Sequence, residues 1–433
     1  MVELNETHDG RQGSWVASAN EPQSDFPLQN LPFGVFSRAG ESPRGGVAIG
    51  DQIFDLRAAL DVGVVPESTR LAAEAAAGPA LNPLLTLGAE PASLLRAALF
   101  GMLRADGPEA RRAHARADKL LVPMGEAQMH LPAQIGAYTD FCCSFDHIRR
   151  MAGGTPPPAF FHVPIGYNGR ASSIAVSGSP VRRPRGQYKD SDGTVRFGPE
   201  PMLDFELEFG AYVGTANPLG DSVDVGVARS HLFGYCLVND WSARGIQFFE
   251  SILGPFLGKS FLTSVSPWIV TAEALAPFRV PARGRAAGEP PVPSHLLDPQ
   301  DRIEGGLDVE LTASIRTCET PYGDPGAAQR IVTTNFRQIY WTPAQMLAHH
   351  TSNGCNLLVG DLLASGTVSG PEEHARSCLA EITQMGAAPL RLEHGVSRQW
   401  LQDGDEIILR GRATRPGFTS IGFGDCTGRI VAH

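Results

Sequence analysis

From Leu203 to Phe209 apolar and polar residues alternate without a break, and the polar member is an acid each time: Asp204, Glu206 and Glu208. Successive side chains of a β-strand point to opposite faces, so the pattern predicts a strand with Leu203, Phe205, Leu207 and Phe209 on one side and three carboxylates on the other. Neighbouring acids then lie roughly 6.5–7 Å apart, at a rise of about 3.3 Å per residue. Like charges that close to an apolar layer repel at a reduced dielectric. The acidic face is either solvated, as in a half-buried antiparallel strand, or matched by something positive.

Shorter β runs stand at 33–36, 46–49 and 52–56, with Gly50-Asp51 as a hairpin signal between the last two. From Pro66 to Leu121 the composition shifts to Ala, Leu, Glu and Arg, and Leu94, Leu95, Ala98 and Leu99 recur at helical spacing. Several short helices are expected there, broken near Gly78, Gly88 and Gly107-Pro108. Beyond residue 125, β runs punctuated by Gly and Pro recur at 203–213, 231–239, 307–316, 330–341 and 405–410. One helix stands out, from Thr342 as N-cap through Pro343 to His350, ending before Gly354. Parallel βαβ alternation is absent, so the fold class is mainly β with some α, an α+β protein with mixed or antiparallel sheets. The expected division is a flexible N-terminal arm over 1–29, a first domain over 30–121, a link at Val122-Pro123-Met124-Gly125, and a second domain over 125–433. The Pro-rich residues 280–306 read as a long surface loop.

The chain has 433 residues, 42% of them apolar, enough for a sizeable core and against wholesale disorder. Net charge is −10, and Arg182-Arg183-Pro184-Arg185 is the longest basic run. Nucleic acid and acidic membrane surfaces, which need a positive face, are therefore not expected partners. Cysteines stand at 142, 143, 236, 318, 355, 378 and 426. An odd count without Cys-x-x-Cys spacing reads as reduced thiols, not as a disulfide frame or a zinc site. With no apolar stretch of eighteen residues and no apolar leader, the expected location is the cytoplasm.

Two further acids sit among apolar residues at the ends of predicted strands, Asp140 after Ala137-Tyr138-Thr139 and Asp240 after Cys236-Leu237-Val238-Asn239. A buried carboxylate must be paired, capping or metal-bound. Taken together, these acids form a hard oxygen set that suits magnesium, calcium or manganese better than zinc or copper. Arg244 and Gln247, three apart, share a helix face beside Asp240, and Lys259 lies on a constrained Gly-Lys-Ser turn. These cations either balance nearby carboxylates or act on a substrate. His147, seven residues after Asp140, is suited to general-base work near neutral pH and needs an orienting acid, for which Glu381 is one candidate. His349 and His350 read as helix-end residues that favour the negative end of the helix dipole.

Across these segments the chain resembles the fumarylacetoacetase family of carbon–carbon bond hydrolases. The likeness runs through Asn30-Leu31-Pro32-Phe33-Gly34-Val35-Phe36, Tyr138-Thr139-Asp140-Phe141, Gly166-Tyr167-Asn168-Gly169-Arg170, Leu203 to Glu208, Asn239-Asp240-Trp241-Ser242-Ala243-Arg244 and Asp361 to Thr367. The resemblance implies an SH3-like β barrel followed by a large mixed β-roll domain, a homodimer, and hydrolysis of 4-fumarylacetoacetate with Mg or Ca, Mn being possible. It also implies roles. Asp140, Glu206, Glu208 and Asp240 match metal ligands, with Lys259 and Thr263 joining the metal site, whereas Asp204 matches none. His147 matches the base and Glu381 the acid that orients it. Arg244, Gln247 and Lys259 match groups that hold and polarise substrate oxygens, and Tyr167 and Thr367 match pocket residues.

Three positions depart from the family pattern. Cys142 stands where a tyrosine is usual, a second pocket tyrosine is replaced around Ser251, and the loop after His147 has no matching arginine, since Arg149 and Arg150 come too early. The metal and base sets are intact, so the expected chemistry is kept while the substrate is open to change. The alternatives are the same cleavage on a different diketo acid, or decarboxylation or isomerisation through an enolate, which would not need a water-activating His147–Glu381 pair.

Overall fold

The computed structural model describes residues 4–317 and 326–433. Its largest sheet runs, in spatial order, Leu121–Pro123, Gln52–Asp55, Arg44–Ile49, Phe33–Ser37, Trp268–Thr271, Leu232–Asp240, Leu207–Val213, Leu362–Ala364, Tyr138–Phe141 and Gly166–Gly169. The expected first and second domains thus share one sheet, joined where Phe33 pairs with Ile269 and Gly34 with Trp268. Only glycine fits at this seam, because a Cβ on Gly34 would lie 2.5 Å from the Trp268 ring. The expected link is also part of the sheet: Gln52 pairs with Pro123 and Phe54 with Leu121. Among the described pairings, the strands from 33 to 130 do not close into a barrel.

A second sheet of six strands holds Gln329–Asn335, Val309–Arg316, Glu406–Ala413 and Cys426–Val431. It packs against one face of the first sheet. Phe209 stacks on Tyr235 at 5.3 Å and meets Phe423 edge-on at 5.1 Å. On the opposite face, Tyr212, Cys236 and Val238 share a core cluster with Leu84, Leu95 and Leu99 from the helical segment. The predicted short helices occur as Arg70–Ala76, Asn82–Thr86, Ala89–Leu103 and Pro108–His114, with Gly88 and Gly107 at the breaks in positive-φ backbone. The Thr342 helix spans Pro343–Thr351 and opens with a capping box, in which Thr342 and Gln345 satisfy each other's backbone amides.

Three expectations are corrected. Residues 4–29 are not a loose arm: Thr7, His8, Val16, Ala19, Phe26 and Leu28 are buried, and buried Arg96 holds Thr7 Oγ1 and the Gln29 carbonyl. Polar composition concealed this because the segment is fixed by hydrogen bonds as much as by apolar burial. Residues 280–306 are not all loop, since Pro299–Glu304 forms a helix capped by Asp298. The alternating run at 203–209 is two strands, Leu203–Asp204 and Leu207–Val213, broken at Phe205-Glu206 where Glu206 turns its amide to the Asn239 side chain. Its apolar face still packs as the pattern predicts, with Leu203, Phe205, Leu207 and Phe209 in one core cluster. Its acidic face is not solvated, and all three carboxylates are buried. The six described cysteines at 142, 143, 236, 355, 378 and 426 are free thiols, while Cys318 lies outside the described residues. No described helix is long and apolar enough to cross a membrane.

Candidate active site

Strand pairing collects the acids. Asp240, the last residue of Leu232–Asp240, lies opposite Thr263, whose hydroxyl donates to Asp240 Oδ1 at 2.8 Å. On the next strand Glu208 lies opposite Val238. Asp140 lies between Ala364 on one side and Tyr167 on the other, and the Tyr167 hydroxyl reaches Asp240 Oδ2 at 2.8 Å. Asp140, Glu206, Glu208 and Asp240 bring one carboxylate oxygen each to within 4.8 Å of one another, and all four are buried.

This cluster is under-compensated. Lys259 Nζ donates to Glu206 at 2.5 Å and to Asp240 at 2.9 Å, and Arg244 Nη1 reaches Glu206 at 2.7 Å. By contrast, Asp140 Oδ1 and both oxygens of Glu208 are buried without a hydrogen-bond partner. Burial first, then the neighbouring acids, pushes Asp140 and Glu208 well above the ordinary carboxylate range. Burial also works to raise Glu206, but Lys259 and then Arg244 hold it below that range. Burial opposes the Lys259 charge, yet Asp240 and Glu206 keep it above the ordinary lysine value. Orphaned carboxylate oxygens converging in a dry site fit a hard divalent cation, and nothing soft is on offer: Cys142 beside them has its thiol pushed up to about 12 by burial and by Asp140.

The second group is fully satisfied. Helix Phe145–Met151 is capped by Ser144, whose hydroxyl accepts the His147 amide at 3.4 Å and donates to the Ser369 carbonyl at 2.8 Å. His147 Nδ1 makes a short hydrogen bond to Glu381 Oε1. Glu381 Oε1 also accepts from Ser369 Oγ at 2.7 Å, and Oε2 accepts from Arg150 Nη1 at 2.9 Å. Burial would raise Glu381, but His147, Ser369 and Arg150 together hold it below its ordinary value, hence ionised. The carboxylate at Nδ1 fixes the orientation of the ring, and Nε2 has no described hydrogen-bond partner.

Arg244 opens helix Arg244–Glu250, whose first amides at Gly245 and Ile246 are accepted by buried Glu200 at 3.1 and 2.9 Å. Its guanidinium is committed within the protein, with Nε and Nη2 on Asp204 and Nη1 shared between Glu206 and Gln247 Oε1. Gln247 therefore keeps its amide nitrogen for another acceptor. Thr367 is buried with its hydroxyl unpartnered, just beyond Gly366, whose φ of +75 and Cβ position 2.1 Å from the Phe141 carbonyl admit only glycine. Ser251 stands apart, exposed at the turn that ends the helix, with no side-chain hydrogen bond to either group. Sequence reasoning missed Arg150, Ser369 and Glu200. Arg150 carried a signal, because it lies three residues after His147 and so on the same helix face. Ser369 and Glu200 carried none.

The comparisons bear on the whole chain. Residues 29–132 match the family described as fumarylacetoacetase N-terminal, and residues 136–431 match fumarylacetoacetate (FAA) hydrolase C-terminal. The chain is 43% identical over 422 residues to the fumarylacetoacetase of Oryza sativa, covering 95% of each chain. It is 41% identical over 418 residues to that of Homo sapiens, covering 94% of this chain and 96% of the other. Among solved structures, a fumarylacetoacetate hydrolase from the psychrophilic Exiguobacterium antarcticum shares the fold, with a TM-score of 0.51 at 18% identity over 93% of this chain and all of that one. Sequence, fold and buried charge agree: this chain belongs to the fumarylacetoacetase family, hydrolases that cleave carbon–carbon bonds in ketonic compounds.

Proposed function

We propose that the chain hydrolyses 4-fumarylacetoacetate to fumarate and acetoacetate in tyrosine and phenylalanine breakdown, as a cytoplasmic homodimer using Mg²⁺ or Ca²⁺. The N-terminal strands are read as the family's SH3-like unit. The observation that carries the proposal is the buried His147–Glu381 pair, with Nε2 left free, on the same sheet end as a four-carboxylate cluster with orphaned oxygens. Identity of about two residues in five to fumarylacetoacetases along nearly the full length of both chains supports it.

Asp140, Glu206, Glu208 and Asp240 would hold the cation, with the Thr263 hydroxyl fixing Asp240. A cation held there would supply stabilisation of negative charge on substrate oxygen. His147 Nε2 takes a proton from water as the water adds to the substrate carbonyl, and Glu381 stabilises the imidazolium that forms. The bond between that carbonyl carbon and the adjacent methylene carbon then breaks, its electron pair leaving with the acetoacetate fragment. His147 returns the proton to that carbon, which closes the cycle. The third hydrogen of Lys259 and the amide nitrogen of Gln247 are donors free to face developing negative charge on oxygen.

The same cleavage on a different diketo acid is the second reading, favoured by the neutral Cys142 thiol and by the apolar turn between Gln247 and Lys259. There Ile252 and Leu253 are almost wholly exposed. The pair His147 and Glu381 speaks against a decarboxylase or isomerase, which has no water to activate. The test is loss of fumarylacetoacetate absorbance by the purified enzyme with magnesium, repeated in chelator. Chelator-sensitive turnover supports the proposal. Magnesium binding without turnover moves the substrate to another diketo acid.

A further inference from the structure

Asp204 lies outside the four-carboxylate cluster and has no described hydrogen bond to His147 or Glu381, yet it is fully buried and its two oxygens accept five hydrogen bonds. Oδ1 accepts from the Phe205 amide at 2.8 Å and the Leu379 amide at 2.6 Å. Oδ2 accepts from the Ala380 amide at 3.0 Å, Arg244 Nε at 3.0 Å and Arg244 Nη2 at 2.9 Å. Leu379 and Ala380 open the four-residue turn of helix Leu379–Ile382 that carries Glu381, and the turn's own N-cap, Cys378, does not cap these amides with its side chain, its thiol donating to Glu381 Oε1 at 3.7 Å. The first amides of such a turn need an acceptor from elsewhere, and Asp204 is that acceptor. Its other neighbour, Arg244, continues to Glu206 and Gln247.

We infer that Asp204 is a positioning residue that joins the two halves of the site, setting Glu381 and through it His147 on one side, and Arg244 with Glu206 and Gln247 on the other. One carboxylate then fixes the distance between the base and the charged cluster, so neither can shift without the other. The joint needs a carboxylate in particular. In an asparagine the amide nitrogen would face the Phe205 and Leu379 N–H groups in one orientation, and the Ala380 N–H and Arg244 in the other. Both orientations set donor against donor.

The inference rests on the proposed hydrolysis for its kinetic test and on hydrogen exchange for a test that needs no substrate. In the full-length D204N enzyme, exchange should rise in the segments 376–383 and 242–250, which are distant in sequence, and stay at the wild-type level in the Thr342 helix. Unchanged exchange at 376–383 would overturn the joint. In turnover, D204N should lose about 100-fold in kcat, the scale of a small misplacement of catalytic groups. The combined loss in D204N/E381Q should fall well short of the product of the two single losses, because both act on the same base. A residue needed only for folding would give losses that multiply, and that result overturns the inference, as does wild-type kcat in a folded D204N. If D204N does not fold, D204E serves instead. It keeps the charge and lengthens the reach, so reduced kcat in folded D204E supports the joint and unchanged kcat overturns it. A wild-type enzyme inactive on fumarylacetoacetate counts against the substrate, and the exchange result still decides the role of Asp204.

Discussion

Two groups of buried charge share this site and are finished to different degrees. Around Glu381 every carboxylate oxygen has a donor, from His147, Ser369 or Arg150. Around Glu208 the oxygens face other acids and have no donor. The protein alone completes the first group and leaves the second with carboxylate oxygens that no donor satisfies. Pre-organisation of a base calls for full satisfaction, because a fixed ring tautomer depends on its partner staying ionised. Capture of a cation calls for the reverse, a set of oxygens that nothing else already holds.

The most severe way to break the satisfied half is to remove its base. H147A should lower kcat by about 10³-fold or more, toward the upper range for general-base catalysis, while magnesium titration by calorimetry still shows the wild-type affinity. Full activity in that variant would refute the mechanism. On the unsatisfied half, chelation should abolish turnover and lower the melting temperature by roughly 5 °C relative to magnesium at about 100 times its dissociation constant.

That gap should also depend on pH. Asp140 and Glu208 have raised values in the folded chain, so in chelator the stability they contribute is present below the ordinary carboxylate range and is lost as pH rises toward their raised values. A bound cation replaces those protons. The difference between loaded and chelated melting temperatures should therefore widen from pH 5 to pH 8, and a constant difference would show that the two acids are not protonated without metal. R150Q, which removes a donor from Glu381 Oε2, should cost roughly 10-fold in kcat, the lower end for a group supporting a catalytic ligand or base. T263A should be mildest: loss of one hydrogen bond to Asp240, worth about 1 kcal/mol, weakens magnesium binding about 5-fold.

The unsatisfied half was the more legible in sequence. Its acids stand out because a carboxylate within an apolar run, as at Asp140 and Asp240, has few ways to be stable. The satisfied half showed only its endpoints, His147 and Glu381, since Ser369 and Arg150 look ordinary until the fold places them. Asp204 was the most misleading residue. It alternates in step with Glu206 and Glu208, but the strand break at Phe205-Glu206 sends it to a different set of partners. The helices at 70–114 followed from composition and glycine breaks, because local propensity decides them. The packed state of residues 4–29 did not, because the anchor for that segment is Arg96, far along the chain.

The pairing of His147 with Glu381 spans 234 residues of chain, and Asp140 meets its sheet neighbour Ala364 across a similar stretch. Contacts so distant in sequence carry a loop-closure cost that slows folding. On a chain synthesised from its N-terminus, Asp140, Glu206, Glu208 and Asp240 all emerge before Glu381 and the strand at Leu362–Ala364 exist. A truncated product ending before residue 381 carries the four acids Asp140, Glu206, Glu208 and Asp240 and His147 without the carboxylate that holds the His147 ring.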